Sequence, residues 1–558
     1  MSEQASTPAH SEHYDVAIIG GGFVGSMAAI MLRKRGLRTV VLEARAEGQE
    51  QKTVVGEALT EGTSVFVHHE IGLGDWLGEH AFRKYGFDFV TQPRDQPAPR
   101  DLDHCHELLL SLTPIEKIAG AFPKLIPTYH VHRPPLNEET ARRAKAAGAV
   151  YLHAAPVRHV EVGQLDHRID YEQDGEARSL RCTWVLDVSG RRRLLGRQLG
   201  ITRAMDGLET AAIWTRFTKV RSDPEFWQTF RGIDRRKHTI HWSGPGYWFW
   251  WIHIDAETTS VGVSFDKAQH QPDIKGEDRG FWEMVDKFPA LREALRGAEA
   301  VEPYSYYANL PYESDHWLSS RGYALIGDAA TFVDALYSIG IEMACRQLMA
   351  VVPQIEAACA GRRPCAATIA RLNQEHQYTQ ESVRLLNRFK YTHAWHQPHI
   401  LMQTALYDLA EIAELYHLQD RKHWTRENLD RHYRLQWGSK ARRDALVRFQ
   451  QTAEADAERD RGGPLLAKAL LPGELIYAAT LPLWHLPKAR PYFFILTRGW
   501  GYMERMSQRF GMFPDVLSWM AGPRQGEAPH GLMSRIMDPA LLGRGARSLR
   551  GLWPSPEV

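Results

Sequence analysis

Apolar positions along the chain fall into distinct rhythms, and each rhythm predicts a kind of element. Short unbroken runs of β-branched and aliphatic residues, Tyr14–Ile19 and Arg38–Leu42, read as strands buried on both faces of a parallel sheet. Between them Ser26–Arg35 continues as a helix, so the two strands and the helix form one unit. Gly56–Gly78 and Arg133–Ala147 read as helical, with strands at Ala149–His153, Arg158–Val162 and Trp184–Gly190. A loop carries Phe82-Arg83-Lys84-Tyr85-Gly86. Residues from about 205 to 310 alternate with period two, including Tyr247–Asp255 and Thr259–Phe265, and predict a mostly antiparallel sheet. From about 341 to 460 the pattern turns helical and charged, whereas 461–558 is rich in Pro, Gly and aromatics without a readable period. Residues 1–13 are polar and read as a disordered start.

The turn after the first strand, Gly20-Gly21-Gly22-Phe23-Val24-Gly25, fits G-x-G-x-x-G. Gly20 permits a tight turn, Gly22 lets backbone approach a pyrophosphate, and Gly25 lets helix and strand pack closely. The helix start supplies N–H groups and a positive dipole end for phosphates. The second strand ends at Glu43, placed where a carboxylate would bind a ribose hydroxyl. Alone, the glycines could be any turn; strand, helix, second strand and terminal acid together specify a dinucleotide. Two more Gly/Asp-rich turns follow, Asp187-Val188-Ser189-Gly190 and the start of Gly327–Ala344. Cofactor-cradling turns so far apart imply one large bound FAD. The fold class is therefore α/β: an FAD-binding, doubly wound, Rossmann-like domain of the glutathione-reductase type, an antiparallel-sheet substrate domain and a mainly helical C-terminal region. The expected boundaries are 14–204 with 311–350 for the FAD-binding domain, 205–310 for the substrate domain and 351–558 for the C-terminal region.

Composition fits an enzyme. A chain of 558 residues can bury a large core in two or three packed subdomains. With 68 basic against 67 acidic residues, no nucleic acid or other polyanion is implied as partner. No apolar stretch of about 18 residues appears, and the N-terminus lacks a signal-peptide core. The five cysteines form no C-x-x-C pair and suit a reducing, cytoplasmic compartment. His104-Cys105-His106-Glu107 has metal-ligand chemistry, but adjacent residues on one segment point in different directions, so no metal is expected.

The succession GGGFVG at 20–25, VGEAL at 55–59, FRKYGFDF at 82–89, VHR at 131–133, DVSG at 187–190, WFWWIH at 248–253 and GDAATFVDALYSIG at 327–340 resembles the flavin-dependent halogenases. The likeness is to the phenol- and pyrrole-acting branch, within the FAD-dependent aromatic hydroxylase-like superfamily, and covers roughly residues 14–350. It implies FAD used as FADH2, a flavin hydroperoxide that oxidises chloride or bromide to hypohalous acid, and an electron-rich aromatic substrate, free or bound to an acyl carrier protein. No second nucleotide fingerprint is present, so a separate NAD(P)H flavin reductase would supply the reduced cofactor. By the same resemblance Arg133, Asp328 and Ser338 lie at the cofactor. The amides of Ile339 and Gly340 hold the halide, and Lys84 captures the halogenating species. Glu57 orients substrate or lysine, and Trp248 and Trp250 wall substrate off from flavin. Two positions depart from the family pattern: His253 stands where W-x-W-x-I-P has its proline, and Ala335 follows Asp334 where the family has Asp-Pro.

Residue chemistry alone leaves alternatives open. Ser338–Gly340 could merely contact the isoalloxazine edge, Lys84 could be a surface charge, and His253 could be a general base on a phenol or a satisfied core histidine. Aromatic hydroxylation on the same scaffold is a second function. A non-catalytic flavin-binding or membrane-associated assembly role is a third, resting on the apolar and aromatic segment 465–503, for which core packing is the commoner explanation.

Overall fold

The computed structural model describes residues 13–392 apart from 50–54, 93–98, 112–126, 230–232 and 274–277, with His396 and scattered positions between 440 and 451. The segment 465–503 lies outside the described residues, as does most of the expected C-terminal region.

The first strand, β1 (His13–Ile19), is central to a mostly parallel sheet. It pairs in parallel with β2 (Thr39–Leu42) on one side and with the end of the long strand Glu176–Asp187 on the other. Tyr323–Leu325 and Val150–Leu152 extend the sheet at the two sides. Val16, Ala17 and Ile18 are fully buried, which is why this strand reads as an uninterrupted apolar run. The helices α1 (Phe23–Arg33), Arg133–Ala146 and Ile339–Cys359 bring apolar faces to this core. After Cys359, Ala366–Lys390 forms a second long helix, so the part of the C-terminal region that is described is helical.

The second sheet runs in the order Glu299–Ala300, Thr210–Thr218, Thr259–Asp266, Tyr247–His253, Thr239–Gly244, Gly86–Thr91 and His106–Ser111. Several features differ from the expected plan. Gly86–Thr91 and His106–Ser111 belong to this sheet, although they precede residue 205, and Gly86–Thr91 joins Thr239–Gly244 in parallel. Local pattern signals a strand; which strand it joins is decided by packing from elsewhere in the chain. Likewise Phe82–Lys84 is a short strand paired with Thr128–His130 rather than a loop. The expected long helix at 56–78 is two short helices, Glu61–Phe66 and Gly74–His80, joined by a π turn.

Alternation along Tyr247–His253 divides its aromatics between two cores. Phe249 and Trp251 pack outward with Trp227, Trp242 and Phe281. Trp248, Trp250 and Ile252 face inward with Trp214, Leu336, Val383 and Tyr391. Gly262 on the neighbouring strand makes room for this inner row: a Cβ there would stand 2.1 Å from the Trp250 ring and 2.4 Å from the Trp214 Cβ. Gly262→Val should therefore overpack the inner face at a cost of about 1–3 kcal/mol. The expected outcome is a lower thermal midpoint with FAD binding at the distant glycine turn retained, read by calorimetry and flavin absorbance; an unchanged midpoint would contradict this packing.

Candidate functional site

The turn after β1 is shaped for a dinucleotide. A Cβ at Gly25 would stand 2.0 Å from the Gly20 carbonyl oxygen, so close packing of helix on strand requires glycine there. A Cβ at Gly22 would meet nothing within 4 Å, leaving that face of the turn open to an approaching group. Helix α1 starts at this point with no side chain capping its N-terminus, so its first N–H groups and positive dipole end are presented to the opening. Glu43 accepts a hydrogen bond from the Gly21 N–H at 2.8 Å through Oε2 and from Arg45 through Oε1. Burial alone would raise its carboxyl; the Arg45 and Gly21 bonds outweigh that and hold it below the usual carboxylate range. Oε2, with one donor, keeps acceptor capacity for a ribose hydroxyl. Asp187 shapes the second turn by accepting from the Ser189 N–H at 2.9 Å and the Leu195 N–H at 2.8 Å. These residues fit FAD.

One cavity of about 240 Å³ joins this turn to the inner face of the second sheet. Gly22, Gly25, Arg133 and Asp328 line it together with Glu57, Trp248, Trp250 and Ser338–Gly340. Arg133 donates to the Val55 and Gly56 carbonyls at 3.1 Å and lies over the Phe23 ring.

The Ser338 corner is built under strain. Tyr337 (φ 65°) and Ser338 (φ 55°) are consecutive non-glycine residues in the left-handed region, each costing about 1–2 kcal/mol. They turn the chain so that Ile339 and Gly340 open a 21-residue helix whose start has no side-chain cap. First-turn amides have no partner within a helix, which suits them to an anion. A buried lysine from the following helix holds the corner: the Lys390 ammonium donates to the Tyr337 hydroxyl and lies over the Tyr337 and Phe89 rings.

Trp248 and Trp250 are fixed by their indole N–H groups. Trp250 donates to Ser260 Oγ at 3.2 Å. The Trp248 N–H is shared between Asp334 Oδ1 (3.2 Å) and the Tyr391 hydroxyl (3.1 Å). Asp334 also accepts from Tyr391 at 2.7 Å, from Ser264 at 3.1 Å and from the Leu336 N–H at 3.1 Å. Burial pushes its carboxyl up, and these donors oppose the rise.

Two expected residues sit differently from the sequence reading, and a third, His253, takes one of its two open readings. Glu57 lines the cavity but its carboxylate is ion-paired with Arg216, not with a lysine. Lys84 is buried and is not among the residues lining the cavity; its ammonium donates to the Leu59 carbonyl at 3.0 Å, and burial pulls its pKa down against the pull of Glu61 and Glu342. His253 is not part of the wall. Two residues beyond Trp251, it faces the outer core, accepts from the Trp251 N–H at 3.1 Å and bonds Thr259 at 2.9 Å through its other nitrogen. Burial takes its pKa to about 4, so it is a satisfied, neutral core histidine. Among the described residues no cluster has metal-ligand geometry; His104 bonds Asp101, and Glu107 pairs with Arg235. Sequence reasoning missed His241, Asp334, Tyr391 and Lys390. Parity could have shown His241 only with the strand register in hand, since it stands directly across from Trp250.

Comparison with known proteins agrees with this geometry. The family model described as an FAD binding domain matches residues 13–246. A 1H-pyrrole-2-carbonyl peptidyl-carrier-protein chlorinase from Pseudomonas fluorescens is 30% identical over 354 residues, 60% of this chain and 74% of the relative. The corresponding brominase from Pseudoalteromonas luteoviolacea is 26% identical over 355 residues, 62% of this chain and 78% of the relative. In fold, the chain is similar to halogenase PltM in complex with phloroglucinol and FAD, with TM-score 0.67 at 20% identity, over 85% of this chain and 97% of that one.

Two substitutions check the cofactor turn. Gly25→Val should abolish FAD binding, because its side chain overlaps the Gly20 carbonyl. Glu43→Ala should weaken FAD by about tenfold to a hundredfold, the worth of a hydrogen bond to a charged group. Flavin absorbance and equilibrium titration read both.

Proposed function

Because the chain belongs to the flavin-dependent halogenases, we propose that it installs chloride or bromide on an electron-rich aromatic, phenolic or pyrrolic, free or carrier-protein-bound. The observation that carries this is the single cavity shared by the glycine turn, the Ser338–Gly340 helix start and the tryptophan wall. Reduced FAD, when bound, supplies with dioxygen the oxidising equivalent that turns halide into an electrophile. A separate NAD(P)H flavin reductase would deliver that cofactor. The five cysteines are free, in keeping with a cytoplasmic setting, and no helix among the described residues is long and apolar enough to cross a membrane.

The chain's own residues would divide the work as follows. Amides of Ile339 and Gly340 seat the halide without donating a proton to it, and the strained corner keeps them aimed at the cavity. Trp248 and Trp250, each pinned by its N–H, keep the aromatic away from the cofactor and exclude water. Lys84, desolvated behind the lining, is the amine that would meet the oxidised halogen. Glu57, held by Arg216, would shape the floor of the cavity. The relatives that act on pyrrolyl carrier proteins support the pyrrolic branch of this reading, and the phenolic branch rests on the shared fold with a phloroglucinol complex.

The test mixes protein, FAD, a flavin reductase, NADH and bromide with phenols and pyrroles, the latter also as carrier-protein thioesters. A product carrying the bromine isotope pair, reduced about a hundredfold or more in Lys84→Ala, is the expected outcome. A gain of one oxygen that persists without halide would instead establish direct hydroxylation. Lys390→Met should raise the bromide concentration needed for half-maximal rate severalfold, since it removes the ammonium that holds the Tyr337 corner.

A further inference from the structure

His241 lies on the strand Thr239–Gly244, across the ladder from Trp250, so its side chain emerges on the same inner face as the tryptophans. It lines the cavity. Its ring is clamped between Phe89, stacked at 4.5 Å between centroids, and Trp248 at 5.7 Å. Nδ1 lies 3.2 Å from the Asp88 carbonyl oxygen. A carbonyl can only accept, so Nδ1 carries the proton and Nε2 is left as a bare lone pair. No protein group among the described residues is hydrogen-bonded to Nε2.

The other polar side chains on this part of the lining are occupied or cannot accept. Glu57 faces Arg216 and Asp334 is surrounded by donors, while Arg133, which gives its Nη1 to two carbonyls and leaves Nε without a partner, has donors only. Thr239 is bonded to His130 Nε2 at 2.8 Å. Both wall indoles have their N–H groups engaged within the protein. His241 thus offers the acceptor of this wall, on a ring too tightly clamped to turn away. Burial, reinforced by the charges of Lys84 and Lys390, takes its pKa to about 3, so the ring stays neutral and the lone pair stays available.

We propose that His241 Nε2 accepts a hydrogen bond from the ring N–H or O–H of the aromatic substrate and so makes His241 the residue that selects donor-bearing rings. Attack by such a ring on an electrophilic halogen leaves positive charge on the ring and its heteroatom, and an acceptor on the heteroatom proton stabilises that charge. Buried, the same lone pair penalises a ring that has no donor to satisfy it. The choice of ligand class rests on the halogenase reading; the binding preference does not depend on turnover.

The experiment measures dissociation constants by calorimetry on the FAD-loaded full chain. The probes are resorcinol and methyl pyrrole-2-carboxylate, each against its methylated counterpart, 1,3-dimethoxybenzene and methyl N-methylpyrrole-2-carboxylate. The native protein should prefer the donor-bearing member of each pair by about tenfold. The preference should disappear in His241→Phe, which keeps the stack. It should disappear equally in His241→Asn, which keeps a donor for the Asp88 carbonyl and removes Nε2. An undiminished preference in both variants, no preference in the native chain, or no binding of any probe overturns the proposal. A chain that shows the preference but yields no brominated product upholds His241 and overturns the halogenase reading instead.

Discussion

Everything at the site hangs on one buried carboxylate. Moving a carboxylate out of water costs several kcal/mol unless hydrogen bonds replace its hydration. Asp334 meets that demand with donors from four places: Trp248 on the wall strand, Ser264 on its neighbour, Tyr391 at the end of the last described helix and the Leu336 amide of its own turn. The same bonds that stabilise the carboxylate therefore fix the wall, the turn that leads to Ser338 and the helix that carries Lys390. The geometry of the proposed anion seat and of the tryptophan face is set jointly.

Around this hub the cavity lining carries Arg133 together with the carboxyls of Glu57, Asp328 and Asp334. Lys84 is tethered to the Leu59 carbonyl, and Lys390 to a hydroxyl and two aromatic faces. Glu57, by contrast, is matched by Arg216 and adds little net field. A halide at the helix start would feel the positive dipole end at short range, opposed by Glu342 in the same first turn and by Asp328 on the lining. The buried imidazoles of His130, His238 and His241 are pushed toward the neutral form first by burial and then by Lys84. The interior thereby holds several histidines without gaining further positive charge.

What the sequence made legible follows the range of the interactions. The strand–helix–strand unit with its glycines and Glu43 was readable because each signal is local: an apolar run, a turn composition, an acid at a fixed distance. Trp248 and Trp250 were readable by parity along one strand. The same parity puts His253 on the outer face, which outweighs its position in the W-x-W-x-I-P motif. His241, Tyr391 and Lys390 were not readable, because their roles arise from register between strands and from a helix docking far along the chain. Phe82–Thr91 was recognisable as functional by its motif but not as part of the second sheet, since strand partners are chosen by tertiary packing.

The two departures from the family pattern are absorbed by neighbouring groups. Ala335 keeps φ at −76°, close to the value a proline ring would impose. The Asp334 carboxylate, by accepting from the Leu336 N–H, supplies the local restraint that the ring would otherwise provide. At the end of the wall strand His253 finds the Trp251 N–H and the Thr259 hydroxyl, so the change from proline adds hydrogen bonds to the outer core and none to the cavity. Of the two, only Ala335 lies on the cavity lining, where it presents a methyl group in place of a ring. A proton acceptor on the substrate side is nevertheless chemically useful for a phenol or pyrrole, and the fold provides one on the opposite parity of the adjacent strand. The motif position and the acceptor position are thus different residues, separated by the thickness of one sheet.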